Sequence, residues 1–153
     1  MNELPPSPPK WLTAMLNVLI SAILRSPLHG VLSNMCILLT FQGRKSGATY
    51  TFPVGYYDLR QESLIVIPLH RWWVNLRGNV PVKIWLKGKK YEGVADASYG
   101  DPDTIREMQH LIDGSSNLTR MYKIQRDSTG QLDSARTSQI AQSLPLVRIR
   151  LSR

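Results

Sequence analysis

Apolar and polar residues alternate with a period of two in segments that recur along this 153-residue chain. The alternation is clearest in two adjoining segments, 81–88 and 89–99, and in the C-terminal segment 144–152. Because successive side chains of a β-strand point to opposite faces, this pattern is typical of strands with one buried face. It limits the chain to folds built around a largely antiparallel sheet.

Three further strands are predicted before these, over 36–41, 49–57 and 63–68, with a turn over 58–62. In the segment 49–57, Pro53 indicates an edge strand or a bulge, because proline has no N–H to donate to a neighbouring strand. Its other face carries the side chains of Tyr50, Phe52, Val54 and Tyr56. Gly88 joins segments 81–88 and 89–99 as a hairpin.

Helix signals fall between and around the strands. Asp101 as N-cap, Pro102 at the first position and Gly114 after the end predict a helix over 102–113. We also predict an N-terminal helix over 11–24, a short helical segment within 71–79, and looser helices near 117–125 and 134–144. About six strands with inserted helices predict an α+β fold, a small β-barrel with flanking helices, in a single domain over 1–153.

The N-terminal helix has fourteen largely apolar residues, whereas crossing a bilayer takes about twenty, so we do not expect it to span a membrane. Its polar positions, Thr13, Asn17 and Ser21, recur every four residues and define one face. The favoured interpretation is a helix packed on the sheet. The alternative is an interfacial helix that makes peripheral membrane contact, aided by positive charge.

The chain carries 19 Lys and Arg against 11 Asp and Glu, a formal net charge of +8. This balance favours an anionic partner, either a phosphorylated cofactor, a nucleic acid or an acidic membrane face. The single cysteine, Cys36, excludes an internal disulfide, fits a cytoplasmic location and is expected to be a buried hydrophobe. His29, His70 and His110 are too scattered to suggest a metal site, so no metal is expected.

Residues 43–47, Gly-Arg-Lys-Ser-Gly, lie between the first two predicted strands. Glycines allow such a turn to point backbone N–H groups at an anion, and the arginine fork, the lysine ammonium and the serine hydroxyl are all phosphate-binding groups. The same letters are also typical of a solvated hairpin tip, so the spacing alone leaves both interpretations open.

The stretch "LLTFQGRKSGATYTFPVGYY", followed by "WWVNLRGNVPVKIWLKGKKYEGVA", resembles the deazaflavin-dependent nitroreductase and quinone reductase family over about 38–97. The shared order is an apolar strand, Gly-Arg-Lys-Ser-Gly, a strand with Pro and Tyr, a Trp-x-x-Asn-Leu helix and a strand hairpin. The resemblance implies a split β-barrel fold related to the FMN-binding pyridoxamine-phosphate oxidases. It also implies coenzyme F-420, with FMN as the alternative cofactor, and a homodimer.

Carried over by position, the resemblance implies that Arg44, Lys45, Ser46 and Gly47 hold the phosphate or acidic tail of the cofactor. Pro53 and Tyr56 are expected beside its ring, and Trp72, Asn75 and Leu76 are expected to support the pocket. The segment before Trp72 is shorter than is usual in the family. His70 in this segment is therefore a candidate substrate contact. Tyr122 is a second candidate, because the resemblance implies a tyrosine-rich C-terminal helix that shapes the substrate pocket, and no catalytic residue is assigned.

The function implied is that of an oxidoreductase in which a reduced deazaflavin or flavin transfers hydride to a quinone, a nitro compound or a similar electron acceptor. Such chemistry belongs to the cofactor, which suits a chain without an evident acid, base or nucleophile constellation. A binding protein for the cofactor, or for another anionic small molecule, is the first alternative. A nucleic-acid-binding module is the third interpretation, and no nucleic acid is expected because the cations are spread over several elements.

Overall fold

The computed structural model describes residues 10–26, 30, 34–59 and 63–152. Its seven strands are β1 Cys36–Gln42, β2 Thr49–Gly55, β3 Tyr57–Leu59, β4 Ser63–Val66, β5 Val80–Leu86, β6 Lys89–Ser98 and β7 Leu146–Leu151. The helices are α1 Lys10–Arg25, α2 Pro102–Asp113, α3 Ser116–Met121, α4 Ser134–Ser143 and a 3-10 helix, Arg71–Leu76. All strand pairs are antiparallel, in the order β2-β1-β5-β6-β7-β4-β3.

The two edge strands of this sheet, β2 and β3, are separated by one residue, Tyr56. The chain therefore passes directly from one edge of the sheet to the other, which requires the sheet to curl into a barrel. We call residues 55–57, where this happens, the seam. The predicted α+β class, a split β-barrel with flanking helices, is confirmed.

The seam also explains where the strand prediction was wrong. The segment predicted as one strand, 49–57, is two strands that pair with opposite ends of the sheet, so the described residues form seven strands and not about six. Residues 58 and 59, predicted to lie in a turn, belong to β3, and 60–62 lie outside the described residues. Pro53 lies on edge strand β2, as predicted.

Two hydrophobic cores lie on the two faces of the sheet. The barrel core contains Ile37, Leu39, Phe41, Leu64, Val66, Leu76, Val82, Ile84, Ala95, Ala97, Val147 and Ile149. The second core packs the sheet against α2, α3 and α4 and contains Ile65, Met108, Ile112, Leu118, Ile124, Ile140, Ala141 and Leu146. The alternation in β7 has a physical cause, because Val147, Ile149 and Leu151 face the barrel core while Arg148 and Arg150 lie on the other face of the strand.

Helix α2 begins and ends where its capping signals predict. The Thr104 N–H donates to Oδ1 of Asp101 over 2.9 Å, and the Thr104 hydroxyl donates to Oδ2 over 2.6 Å. Both hydrogen bonds lower the pKa of Asp101, because they stabilise its ionised form, and the one from the Thr104 hydroxyl has the larger effect. The looser helices are confirmed as α3 and α4.

Helix α1 packs mainly on β2 and also contacts β1 and β5, so the favoured interpretation of a helix on the sheet is confirmed. Its orientation is unusual, since the polar side chains of Thr13, Asn17 and Ser21 are half-buried while Val18 and Leu19 are exposed. No helix within the described ranges is both long enough and apolar enough to cross a membrane.

Candidate functional site

The loop 43–47 joins β1 to β2 as a tight turn with its own hydrogen bonds. The Gly43 N–H donates to the Ala48 carbonyl over 2.8 Å, and the Gly47 N–H donates to the Gly43 carbonyl over 2.9 Å. Gly47 has a φ of +65°, which glycine adopts without the steric cost of a side chain. The Ala48 N–H donates to the Ser46 hydroxyl, 3.2 Å away. The amides of Gly43, Gly47 and Ala48 are therefore satisfied within the turn itself.

Two N–H groups of the loop remain for a ligand. Within the described part of the chain, the N–H groups of Lys45 and Ser46 have no hydrogen-bond partner. An anion nest in this loop would therefore consist of two adjacent amides. The Ser46 hydroxyl, 3.4 Å from the Tyr50 hydroxyl, and the exposed Lys45 side chain belong to the same turn.

Asn75 connects this loop to the 3-10 helix. Its Oδ1 accepts a hydrogen bond from the Arg44 N–H over 3.0 Å, across 31 residues of sequence, and its Nδ2 donates to the Trp72 carbonyl over 2.9 Å. One half-buried side chain thus holds together the two motifs that the resemblance had identified separately. We call this pair of hydrogen bonds the Asn75 latch. Its geometry makes Asn75 a positioning residue for the loop.

The cations of the loop are exposed. The Arg44 guanidinium donates through one nitrogen to the Arg77 carbonyl, which leaves its other N–H donors available. Neither Arg44 nor Lys45 forms an ion pair with any described acidic residue. The positive charge of the loop is therefore not neutralised by the protein, which favours binding of an anion.

The adjacent tryptophans of the 3-10 helix face different surroundings. The Trp72 ring centroid lies 5.1 Å from that of Phe52 and 5.9 Å from that of Phe41, within an aromatic group at the mouth of the barrel. The Trp73 ring lies 5.8 Å from Tyr99, outside this group. Trp72 therefore contributes an aromatic wall next to the loop, whereas Trp73, which also packs against the barrel core, contacts Tyr99 and Arg77.

A cleft of about 400 Å³, which we call the helix cleft, lies between α1, β2 and the start of the 3-10 helix. Pro53, Trp72 and the exposed His70 line one side, and Thr13 and Asn17 line the α1 side. Its volume falls in the range of about 300–1,000 Å³ that is typical of small-ligand sites. Two residues implied by the resemblance, Pro53 and Trp72, therefore meet in one cleft with the candidate substrate contact His70.

A second cleft of about 720 Å³, which we call the tyrosine cleft, lies beyond the seam and is lined by Tyr56, Tyr57 and Tyr122. Burial raises the pKa of the Tyr122 phenol. Burial also raises the pKa of Tyr57, and the neighbouring Tyr122 raises it further. Both phenols are therefore protonated at neutral pH and can donate hydrogen bonds. Burial also raises the pKa of the Cys36 thiol in this cleft, which keeps it un-ionised.

The two clefts adjoin each other, because Gly55, Ile67 and Leu69 line both of them. The barrel interior itself is filled by its core, so a planar ring would lie in the clefts and not inside the barrel. Leu76 is fully buried in that core and faces neither cleft. Its side chain therefore supports the helix from below instead of contacting a ligand.

Another hollow, of about 530 Å³, is lined by Thr40, Lys83 and Glu92 among others, and by none of the site residues that the resemblance implies. We assign it no role. Within the described ranges, no group of three His, Cys, Asp or Glu side chains is placed to hold a metal ion.

Two residues of this region were not predicted from the sequence. Tyr57 follows Tyr56 directly, so a tyrosine pair was visible, but only the break between β2 and β3 turns its side chain into the tyrosine cleft. Arg77 accepts the Arg44 hydrogen bond through its carbonyl, while its guanidinium lies 4.7 Å from the Trp73 ring centroid. No sequence signal identifies a carbonyl that accepts a distant hydrogen bond.

The Asn75 latch can be tested by Asn75→Ala. We expect the free energy of unfolding to fall by about 1–2 kcal/mol, because two hydrogen bonds are lost. We also expect faster hydrogen exchange of the Arg44 amide, measured by NMR. The control is Asn117→Ala at an exposed helical position, which should change stability by less than about 0.5 kcal/mol. Unchanged exchange of the Arg44 amide would contradict the latch.

The sequence matches no family model and no curated protein. Solved structures with a related arrangement include a HupZ variant from Group A Streptococcus, which is 11% identical, with 84% of this chain and 96% of that chain covered and a TM-score of 0.46. A Listeria innocua protein, provisionally named as a pyridoxamine 5'-phosphate oxidase, is 12% identical, with 88% and 94% covered and a TM-score of 0.47.

A third solved structure, described as a domain-swapped dimer, is 19% identical to the chain, with 94% and 100% covered and a TM-score of 0.48. Dimerisation is stated of that protein, and a homodimer of this chain stays a prediction. Similarity at this level concerns the overall fold and carries no information about cofactor, substrate or partner.

Proposed function

We propose that the chain is a reductase that binds a phosphorylated cofactor, F-420 or FMN, and reduces a small organic acceptor such as a quinone or a nitro compound. The observation that carries this proposal is the Asn75 latch, which joins a cationic loop with two available amides to the helix that lines an aromatic cleft. The sequence resemblance supports the same cofactor class.

The residues present fit both the phosphate and the planar ring of such a cofactor. Arg44, Lys45 and Ser46 offer a fork, an ammonium and a hydroxyl to a phosphate, and the amides of Lys45 and Ser46 add two donors. Pro53 and Trp72 give the helix cleft apolar walls suited to a planar ring. The cofactor supplies the hydride when it is bound, so the chain has to bind it, orient it and exclude water.

The tyrosine cleft is the proposed site of the acceptor. Its phenols, on Tyr57 and Tyr122, hold their protons at neutral pH and can donate hydrogen bonds to a carbonyl or nitro oxygen. Because the two clefts meet at Gly55, an acceptor in one cleft can lie next to a ring in the other. Tyr56 lines the tyrosine cleft next to this junction.

One observation favours the alternative of a binding protein without turnover. Among the described residues that line the helix cleft, the single titratable side chain is that of the exposed His70. A cleft of this composition can bind a ring without any proton chemistry. A nucleic-acid module has less support, because Trp72 packs into the aromatic group and is not presented with the neighbouring cations.

The test is a titration of the purified chain with F-420 and, separately, with FMN, followed by absorbance and fluorescence. The reduced form of the cofactor that binds is then mixed with menadione, and its oxidation is measured with and without the chain. The proposal expects saturable binding of one cofactor and a protein-dependent oxidation rate.

The outcomes separate the candidates. Saturable binding without faster oxidation of the reduced cofactor would favour the binding protein. Absence of binding to both cofactors, with a salt-dependent shift of labelled single-stranded DNA or RNA, would favour the nucleic-acid module.

A further inference from the structure

Helix α1 leaves one of its apolar sides exposed, although Ile20 and Ile23 are half-buried. Its apolar side chains Met15, Leu16, Val18 and Leu19 are 55%, 40%, 71% and 54% exposed. Thr13 and Asn17, on the opposite side, are half-buried and line the helix cleft. Surface helices normally turn the apolar face to the core. These four apolar side chains form a stripe that faces outward, and no described residue covers it.

The charges on α1 indicate what this stripe contacts. The helix contains no acidic residue, and its cations, Lys10 and Arg25, stand at its first and last positions, both exposed. The apolar stripe thus lies between two positive ends on a chain with a net charge of +8. Helices that lie in a lipid interface place apolar side chains at the acyl boundary and cations among anionic headgroups.

A second copy of the chain fits this stripe less well. Four half-exposed side chains present roughly 400 Å², against the approximately 800 Å² per partner that a stable protein interface buries. The cations at both ends would also repel those of a second α1. Insertion into a bilayer surface has no such minimum area, because each apolar side chain contributes separately.

We propose that α1 binds the surface of anionic lipid bilayers, lying in the plane of the interface with Met15, Val18 and Leu19 inserted. Lys10 and Arg25 contact the headgroups. With 16 residues the helix is long enough for this position and too short to span. This proposal is independent of the proposed reductase function.

The first test uses the wild-type chain in flotation assays with vesicles of phosphatidylcholine alone or mixed with phosphatidylglycerol. We expect at least tenfold stronger partition onto the anionic vesicles, since each cation near such a surface favours binding. Equal partition onto both vesicle types, or no partition onto either, would overturn the proposal.

The second test separates the apolar stripe from net charge. Val18→Glu/Leu19→Glu should reduce partition onto anionic vesicles at least tenfold, whereas Ala135→Glu/Gln142→Glu, which adds the same charge at exposed positions of α4, should have a small effect. Equal losses in both variants would overturn the role of the stripe. Val18→Ser/Leu19→Ser repeats the test without charge if the first variant does not fold, with circular dichroism as the check.

Sedimentation velocity tests whether a second copy of the chain, and not lipid, covers the apolar stripe of α1. We expect the Val18→Glu/Leu19→Glu variant and the wild type to sediment alike in the absence of lipid. A wild-type dimer that this variant dissociates would overturn the lipid proposal in favour of a second copy.

Discussion

Arg44→Ala/Lys45→Ala should weaken cofactor binding about a hundredfold while leaving the protein folded. Both side chains are exposed and neither is paired with a described acidic residue, so their removal costs the fold little. A hydrogen bond to a charged group contributes about 1.5–3 kcal/mol, which is roughly tenfold to a hundredfold in affinity per contact. The measurement is the dissociation constant for F-420 or FMN from a spectroscopic titration.

A matched control removes the same two charges elsewhere. Lys89→Ala/Lys90→Ala alters two exposed lysines of the β5–β6 hairpin, away from the loop, and should change the dissociation constant by less than about threefold at physiological salt. Equal weakening by both variants would mean that affinity follows net charge and not the loop. An unchanged dissociation constant for the Arg44/Lys45 variant would remove the phosphate site from the proposal.

Leu76→Ala should have the largest effect on stability, lowering the free energy of unfolding by about 3 kcal/mol. Leu76 is fully buried in the barrel core, and removing a buried leucine side chain leaves a cavity that the surrounding residues fill only in part. The measurement is chemical denaturation followed by tryptophan fluorescence. Cofactor affinity of the folded variant should stay within about threefold of wild type, because the side chain faces neither cleft.

The control for Leu76 is the same substitution at Leu69, which is 76% exposed. Leu69→Ala should change stability by less than about 0.5 kcal/mol. If Leu76→Ala instead left stability unchanged and weakened cofactor binding, Leu76 would be a ligand contact and its assignment to the core would be wrong.

The loop and the helix of the candidate site were both predicted from local sequence, but their connection was not. The glycines of 43–47 and the Trp-x-x-Asn spacing of Trp72 and Asn75 are local signals that a single stretch can carry. The hydrogen bond from the Arg44 N–H to Asn75 joins residues 31 apart, and no periodicity encodes such a pair. The latch, and with it the number of loop amides that remain available, required the structure.

The direction in which the side chains of α1 and of the 3-10 helix point also depended on packing. Thr13, Asn17 and Ser21 marked one face of α1 correctly, yet a polar face is expected to point to solvent, and here it borders the helix cleft. In the same way, adjacent residues of a helix point in different directions, so Trp72 and Trp73 cannot face the same way, but only the position of Phe52 decides that Trp72 faces the aromatic group.

The sequence by itself determined where the strands and helices lie, because periodicity and capping act within a few residues of one another. The helix after Asp101 and the alternating strands β5, β6 and β7 are the clearest cases. Only the tertiary structure decided that the strand predicted over 49–57 breaks at Tyr56 and closes the barrel. That break depends on which strands the two halves pair with, and partners distant in sequence leave no trace in the local pattern.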